Sequence, residues 1–167
     1  WDGNTNAVKG WIDGTGKKSA AFDFAFRYAV RDAINQNNWS VLSDSRLTGI
    51  NVDNGSYKQY AVTFVENHDV QDRGTTSGYT PDPIRKDTLA ANAYLLAMPG
   101  TPCVFSTHYL AYPMEIKAMI DARKLAGVTN TSSYQNYRSS AGYYANVVTG
   151  TNGKLLVVVG TNANQLV

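Results

Sequence analysis

For about three quarters of its length the chain alternates short apolar runs that suit strands with longer stretches that suit helices. Residues 20–26, Ala-Ala-Phe-Asp-Phe-Ala-Phe, predict a short strand. Residues 27–36 predict a helix with Tyr28, Ala29, Ala33 and Ile34 partly on one face. The Asn-, Ser- and Gly-rich stretch 37–58 predicts loop, with one short helical turn near Val41 and Leu42. Ala61 to Val65 predicts a second strand, and a polar loop follows from Val70 to Pro83. Pro83 sits just ahead of a helix predicted over 84–98, whose second half is nearly all apolar and therefore belongs in a core. Pro99-Gly100 ends it, and Pro102 to Phe105 predicts a third buried strand.

Pro113 starts the next predicted helix, with Glu115 in its first turn and Ile116, Met119 and Ile120 as its apolar stripe. Gly127 is placed to cap it. Beyond Gly127 the period changes. Tyr143 to Val148 and Leu155 to Val159 are two β-type runs joined through Asn152-Gly153, a hairpin signal. The pattern predicts three β/α units over residues 1–127 and the start of an antiparallel module over 128–167. Three such units do not close a barrel of eight strands. They would leave open strand edges, so self-pairing or pairing with a missing half is expected.

Composition narrows the function classes. With 43% hydrophobic and 17% charged residues the chain is no disordered polymer. Its net charge of +2 is scattered, and Lys17-Lys18 and Arg85-Lys86 are too small for a nucleic-acid footprint. No apolar stretch is long enough to span a membrane. Cys103 is the only cysteine, so no internal disulfide forms, and its apolar surroundings predict a buried, inert thiol. There is no phosphate loop. With His68 and His108 the only histidines, a metalloenzyme finds no support. Trp11 is expected to pack, and His108 to be a strand-end histidine held by backbone. The opening Trp1-Asp2-Gly3 reads as the middle of a protein, without starting methionine or signal peptide.

The densest candidate chemistry lies where the second strand ends, in Glu66, Asn67, His68 and Asp69. A buried parallel strand that finishes in acid, amide and imidazole is how a barrel delivers chemistry to its carboxyl face. Taken alone, the same residues also suit a polar strand-end turn with a satisfied histidine.

The segment Phe64-Val65-Glu66-Asn67-His68-Asp69 closely resembles a signature of the α-amylase family of glycoside hydrolases, usually written Phe-Val-(Asp or Glu)-Asn-His-Asp. Trp1 to Gly3, Gly10 to Gly16, Ala21 to Phe24 and Pro99 to Phe105 resemble further pieces of the family, in the order of its plant-type branch. The resemblance implies an α/β fold, a partial (β/α)8 barrel in which 20–26, 61–65 and 102–106 are about strands six to eight. An antiparallel β domain would begin near 128. It also implies cleavage of α-1,4 bonds in starch-like glucans with retention, which needs a nucleophile and an acid/base about 5 Å apart.

Asp69 matches the family's third, transition-state-stabilising carboxylate, and His68 a histidine that bonds the same glucose unit. Glu66 and Asn67 would support the turn or line the site. Trp1 would stack on a sugar or be core that lost its neighbour. Arg73 reaches a glucan hydroxyl or stands in solvent, since Val70-Gln71-Asp72-Arg73-Gly74 replaces the family's usual Thr-Gly.

The nucleophile and acid/base have no match, and Asp2, Asp13 and Asp23 do not fill their places. The resemblance thus implies a piece beginning just after the general acid, inactive alone, or a non-catalytic carbohydrate-binding or complementing module. No cofactor is expected, because the family's calcium site depends on a part outside these residues. An α-glucan is the implied partner, and a secreted or cell-envelope location follows from the family only.

Overall fold

The first strand ends at Asp23, and the reason is in its side chain. The Asp23 N–H continues the sheet by donating to Val62 O (2.9 Å), while its Oδ1 accepts the Phe26 N–H (3.1 Å). One residue therefore closes the strand β1 (Ala21–Phe22) and caps the helix α2 (Phe24–Asn35). The strand expected over 20–26 stops four residues early, and the helix begins at 24 rather than 27. The buried stripe of α2 is Phe26, Ala29, Val30, Ala33 and Ile34, a helical spacing that overrides the short alternation before it. Asp23→Ala is expected to cost about 1 kcal/mol in urea unfolding, the usual loss for a helix cap.

The structure, a computed structural model, describes residues 3–43, 56–71 and 81–166. A helix α1 (Thr5–Gly14) precedes β1, and the expected short turn near Val41 is a 3-10 helix, Trp39–Ser43. After a second 3-10 helix, Ser56–Tyr60, come β2 (Ala61–Thr63), α3 (Thr88–Ala97) and β3 (Thr101–Pro102). Then follow α4 (Ser106–Ala111) and α5 (Pro113–Ala126). The helix expected over 84–98 starts four residues later, at Thr88. The strand expected over 102–106 gives way to α4.

The strands β1, β2 and β3 form a parallel sheet in chain order, with Ala21 beside Ala61 and Val62 beside Thr101. Such an arrangement puts the carboxyl ends of all three strands on one side of the sheet. Cys103, at the sheet margin where its N–H donates to Thr63 O (2.7 Å), is exposed rather than buried. Trp11 is 54% exposed and not packed as expected. On α1 the buried residue is Ile12, which packs on Ala61.

An antiparallel sheet follows, β4 (Ser133–Ser140), β5 (Tyr143–Thr149) and β6 (Lys154–Val159), in the order β4-β5-β6. β4 was not legible because its residues are polar on both faces and it forms an edge. Tyr144, Val148, Val157 and Val159 share one core with Phe26, Val30, Trp39 and Leu95. Phe26 stacks on Tyr94 (5.4 Å), and Tyr94 meets Tyr144 edge-on (5.6 Å). Helices α2 and α3 thus share their core with the antiparallel sheet. That core holds the helix which, in turn, carries the groups beneath the end of β2.

Candidate functional site

Beyond Thr63 the chain stays buried through Phe64, Val65 and Glu66, then surfaces. Asn67 turns it. Its Oδ1 accepts the Asp69 N–H (3.0 Å), and its carbonyl accepts the N–H groups of Val70 (3.3 Å) and Gln71 (3.1 Å). Val70 is buried again, so the turn is pinned on both sides. What it presents is a pair: His68 Nε2 lies 3.3 Å from Asp69 Oδ1, with side chains 75% and 41% exposed. The pair sits past the carboxyl end of the central parallel strand, with an imidazole and a carboxylate open to hydroxyl groups of a ligand.

Glu66 supports the turn from beneath instead of lining it. Its Oε2 accepts the Ile84 N–H (2.8 Å), and its Oε1 lies 3.7 Å from the buried Arg27 guanidinium. Burial pushes the Glu66 carboxyl above its ordinary range, against the pull of the Ile84 N–H and Arg27. The unfolded chain therefore ionises Glu66 first as pH rises past about 4.5. Stability from this group is full below that pH and lost as pH climbs through the higher folded value. Glu66→Gln, which lacks this loss, is expected to gain stability relative to the parent between pH 4 and pH 8. Urea unfolding at both pH values checks it, and a relative loss would mean that Arg27 dominates instead.

Asp82 behaves oppositely. Burial works upward on its carboxyl, but Arg27 and Arg31 outweigh it and hold the group below the usual carboxylate range. Arg27, Arg31 and Asp82 were missed from sequence. Their only signals were two arginines four apart and an acid between Pro81 and Pro83.

Asn67, His68 and Asp69 are thus brought together. Trp1 and Arg73 lie outside the described residues. His108 is held by a side chain and not by backbone: Asn92 Nδ2 lies 3.1 Å from its Nδ1, and burial pushes its pKa down. A cleft of about 440 Å³ opens elsewhere, beside Trp11, Phe22 and Phe24. Among the described residues no group of three or more His, Cys, Asp or Glu is placed to hold a metal ion. No helix among them is long and apolar enough to cross a membrane.

No family model matches the chain. Individual relatives do. A probable α-amylase 2 of Arabidopsis thaliana is 30% identical over 152 residues, covering 88% of this chain and 35% of that protein. An α-amylase type B isozyme of Hordeum vulgare is 32% identical over 108 residues, covering 64% of this chain and 66% of the relative. A glucan 1,4-α-maltotetraohydrolase of Roseateles saccharophilus is 30% identical over 180 aligned positions, covering 98% of this chain and 29% of the relative. The chain belongs to the α-amylase family of glycoside hydrolases. It spans about a third of the length of the Arabidopsis and Roseateles proteins.

Proposed function

We propose that the chain is part of a retaining hydrolase of α-1,4-glucans in which Asp69 stabilises the transition state. The observation that carries this reading is the exposed His68–Asp69 pair on a pinned turn past the end of β2. A carboxylate there accepts from two adjacent sugar hydroxyls in charge-assisted bonds and places negative charge near an oxocarbenium-like carbon. His68 bonds the same glucose unit, and Asn67 sets the turn. Arg73 and Trp1 are further proposed sugar contacts.

In this reading β1 to β3 are about strands six to eight of a (β/α)8 barrel within 1–127, and 128–167 begins its β domain. The nucleophile and acid/base lie outside these 167 residues, so the chain alone hydrolyses nothing. A secreted or cell-envelope location is part of the proposal and rests on the family alone.

The test is maltoheptaose titration of the chain with its histidines labelled for NMR. One wall of a cleft offers few contacts, so a dissociation constant in the millimolar range, about −4 kcal/mol, is expected at His68. Asp69→Asn is expected to weaken it about tenfold, roughly 1.4 kcal/mol. An unchanged affinity in Asp69→Asn contradicts the role given to that carboxylate.

A second reading, a complementing module that assembles with a missing half or with itself, is favoured by Trp11 and Phe22. Both are more than half exposed beside the apolar cleft. Sedimentation at micromolar concentration decides it. A compact monomer that unfolds cooperatively contradicts it.

A further inference from the structure

We propose that Arg27, Arg31 and Asp82 form a positioning device that holds the His68–Asp69 turn at the height and angle at which it meets a glucan. The inference rests on the glucan reading above for its purpose, and on geometry for its existence.

The residue directly after Asp69 is the anchor point. Val70 accepts the Asp82 N–H at its carbonyl (3.0 Å), which joins the two ends of the polar run between them. Asp82 is then gripped by α2. Its Oδ2 takes Arg27 Nη1 (2.6 Å) and Arg31 Nη1, and its main-chain carbonyl takes Arg27 Nη2. The neighbouring residues repeat the grip. Asn35 Nδ2 donates to Pro83 O (3.1 Å), Asn35 Oδ1 accepts the Arg85 N–H (3.2 Å), and the Ile84 N–H reaches Glu66 (2.8 Å). Residues on both sides of the exposed pair, Glu66 and Val70, are therefore tied to one short segment, 82–85, and that segment is tied to α2.

The layout is unlike a general staple. Arg27 is fully buried, yet it spends its guanidinium on Asp82, in a segment that hydrogen-bonds Glu66 through the Ile84 N–H and Val70 through the Asp82 N–H. Arg31 is oriented in turn by Asp32 Oδ1 (2.7 Å), which fixes the fork that grips Asp82. An exposed carboxylate on a free turn would sample many positions. Misplacement by about 1 Å is enough to cost a site much of its effect. α2 is a rigid element with its apolar face in the core, so it is a sound base for such a grip.

The test uses the labelled chain and four variants. Asp82→Asn and Arg31→Gln weaken the grip at partly exposed positions and should leave the fold intact. Arg31→Lys keeps the charge, and Val157→Ala, on β6, lowers global stability without touching a hydrogen bond of the grip. In Asp82→Asn and Arg31→Gln the amides of residues 82 and 84 are expected to lose protection from hydrogen exchange about tenfold. Maltoheptaose affinity at His68 is expected to fall about fivefold. Arg31→Lys should stay nearer the parent on both readouts. Val157→Ala should melt at lower temperature with unchanged affinity below its transition.

Parent-like protection and affinity in both grip variants would overturn the proposal. So would an equal loss of affinity in Val157→Ala, which would make the cluster merely structural. If maltoheptaose does not perturb the parent at all, the glucan reading fails. The exchange readout then decides the positioning by itself, a tenfold loss supporting it and unchanged protection refuting it.

Discussion

Arg123→Ala is expected to destabilise the chain by about 3–5 kcal/mol, a large share of the roughly 5–15 kcal/mol by which native proteins are stable. The side chain is buried and donates to three main-chain oxygens, Leu96 O (2.8 Å), Met98 O (2.6 Å) and Gly100 O (2.8 Å). Those oxygens belong to the end of α3 and the turn after it, where helical carbonyls have no partner of their own. A cation there also meets the negative end of the helix. Alanine leaves three acceptors without donors in a place closed to water, and each buried orphan costs about 1–3 kcal/mol. Lysine is expected to recover only part, since one ammonium cannot match the planar fork. Urea unfolding measures it, and a loss below about 1 kcal/mol would mean that water replaces the guanidinium.

Gly150→Ala is expected to cost about 2–4 kcal/mol, because the turn between β5 and β6 lies against the end of α5. A Cβ at 150 would stand 2.0 Å from Ala126 O and 2.8 Å from the carbonyl carbons of Ala126 and Gly127. Backbone cannot yield as a flexible side chain does. The turn must lift, and with it go the bonds from Thr151 N–H to Gly127 O (3.0 Å) and from Asn152 N–H to Ala126 O (3.1 Å). Gly153→Ala in the same turn meets nothing within 4 Å and is expected to change stability by only a few tenths of a kcal/mol. Equal effects of the two substitutions would show that the hairpin does not dock on α5.

The contrast between legible and illegible parts follows from how local each determinant is. Helix α5 could be read in full, since Pro113 starts it and Gly127, at φ 70°, stops it in a conformation that favours glycine. The hairpin of β5 and β6 was equally open, because Asn152-Gly153 and two apolar runs lie within a few residues of one another. The boundary at Asp23 was not. Its alternating neighbours look like strand, and only the bond to the Phe26 N–H makes the aspartate a cap. The polar edge strand β4 carries no apolar period at all, with only Tyr134 and Ser139 half-buried.

At the candidate site the same division holds. Asn67, His68 and Asp69 are consecutive, so their turn was visible as a polar cluster after an apolar run. The groups that hold the turn were not visible, because Arg27 and Asp82 are 55 residues apart in the chain. The exposed Cys103 and Trp11 mark a different reason. Cys103 lies in an apolar run and Trp11 is a large aromatic, so both were expected to be covered, yet both are exposed among the described residues.

The central claim is that a glucan meets this chain at the His68–Asp69 turn. The most direct measurement is of intermolecular NOEs between maltoheptaose and the labelled chain. The account predicts contacts from sugar C–H protons to the exposed His68 ring and none to His108, which is held against Asn92. Contacts confined to Trp11 and Phe22, or none at His68 at saturating maltoheptaose, would contradict it.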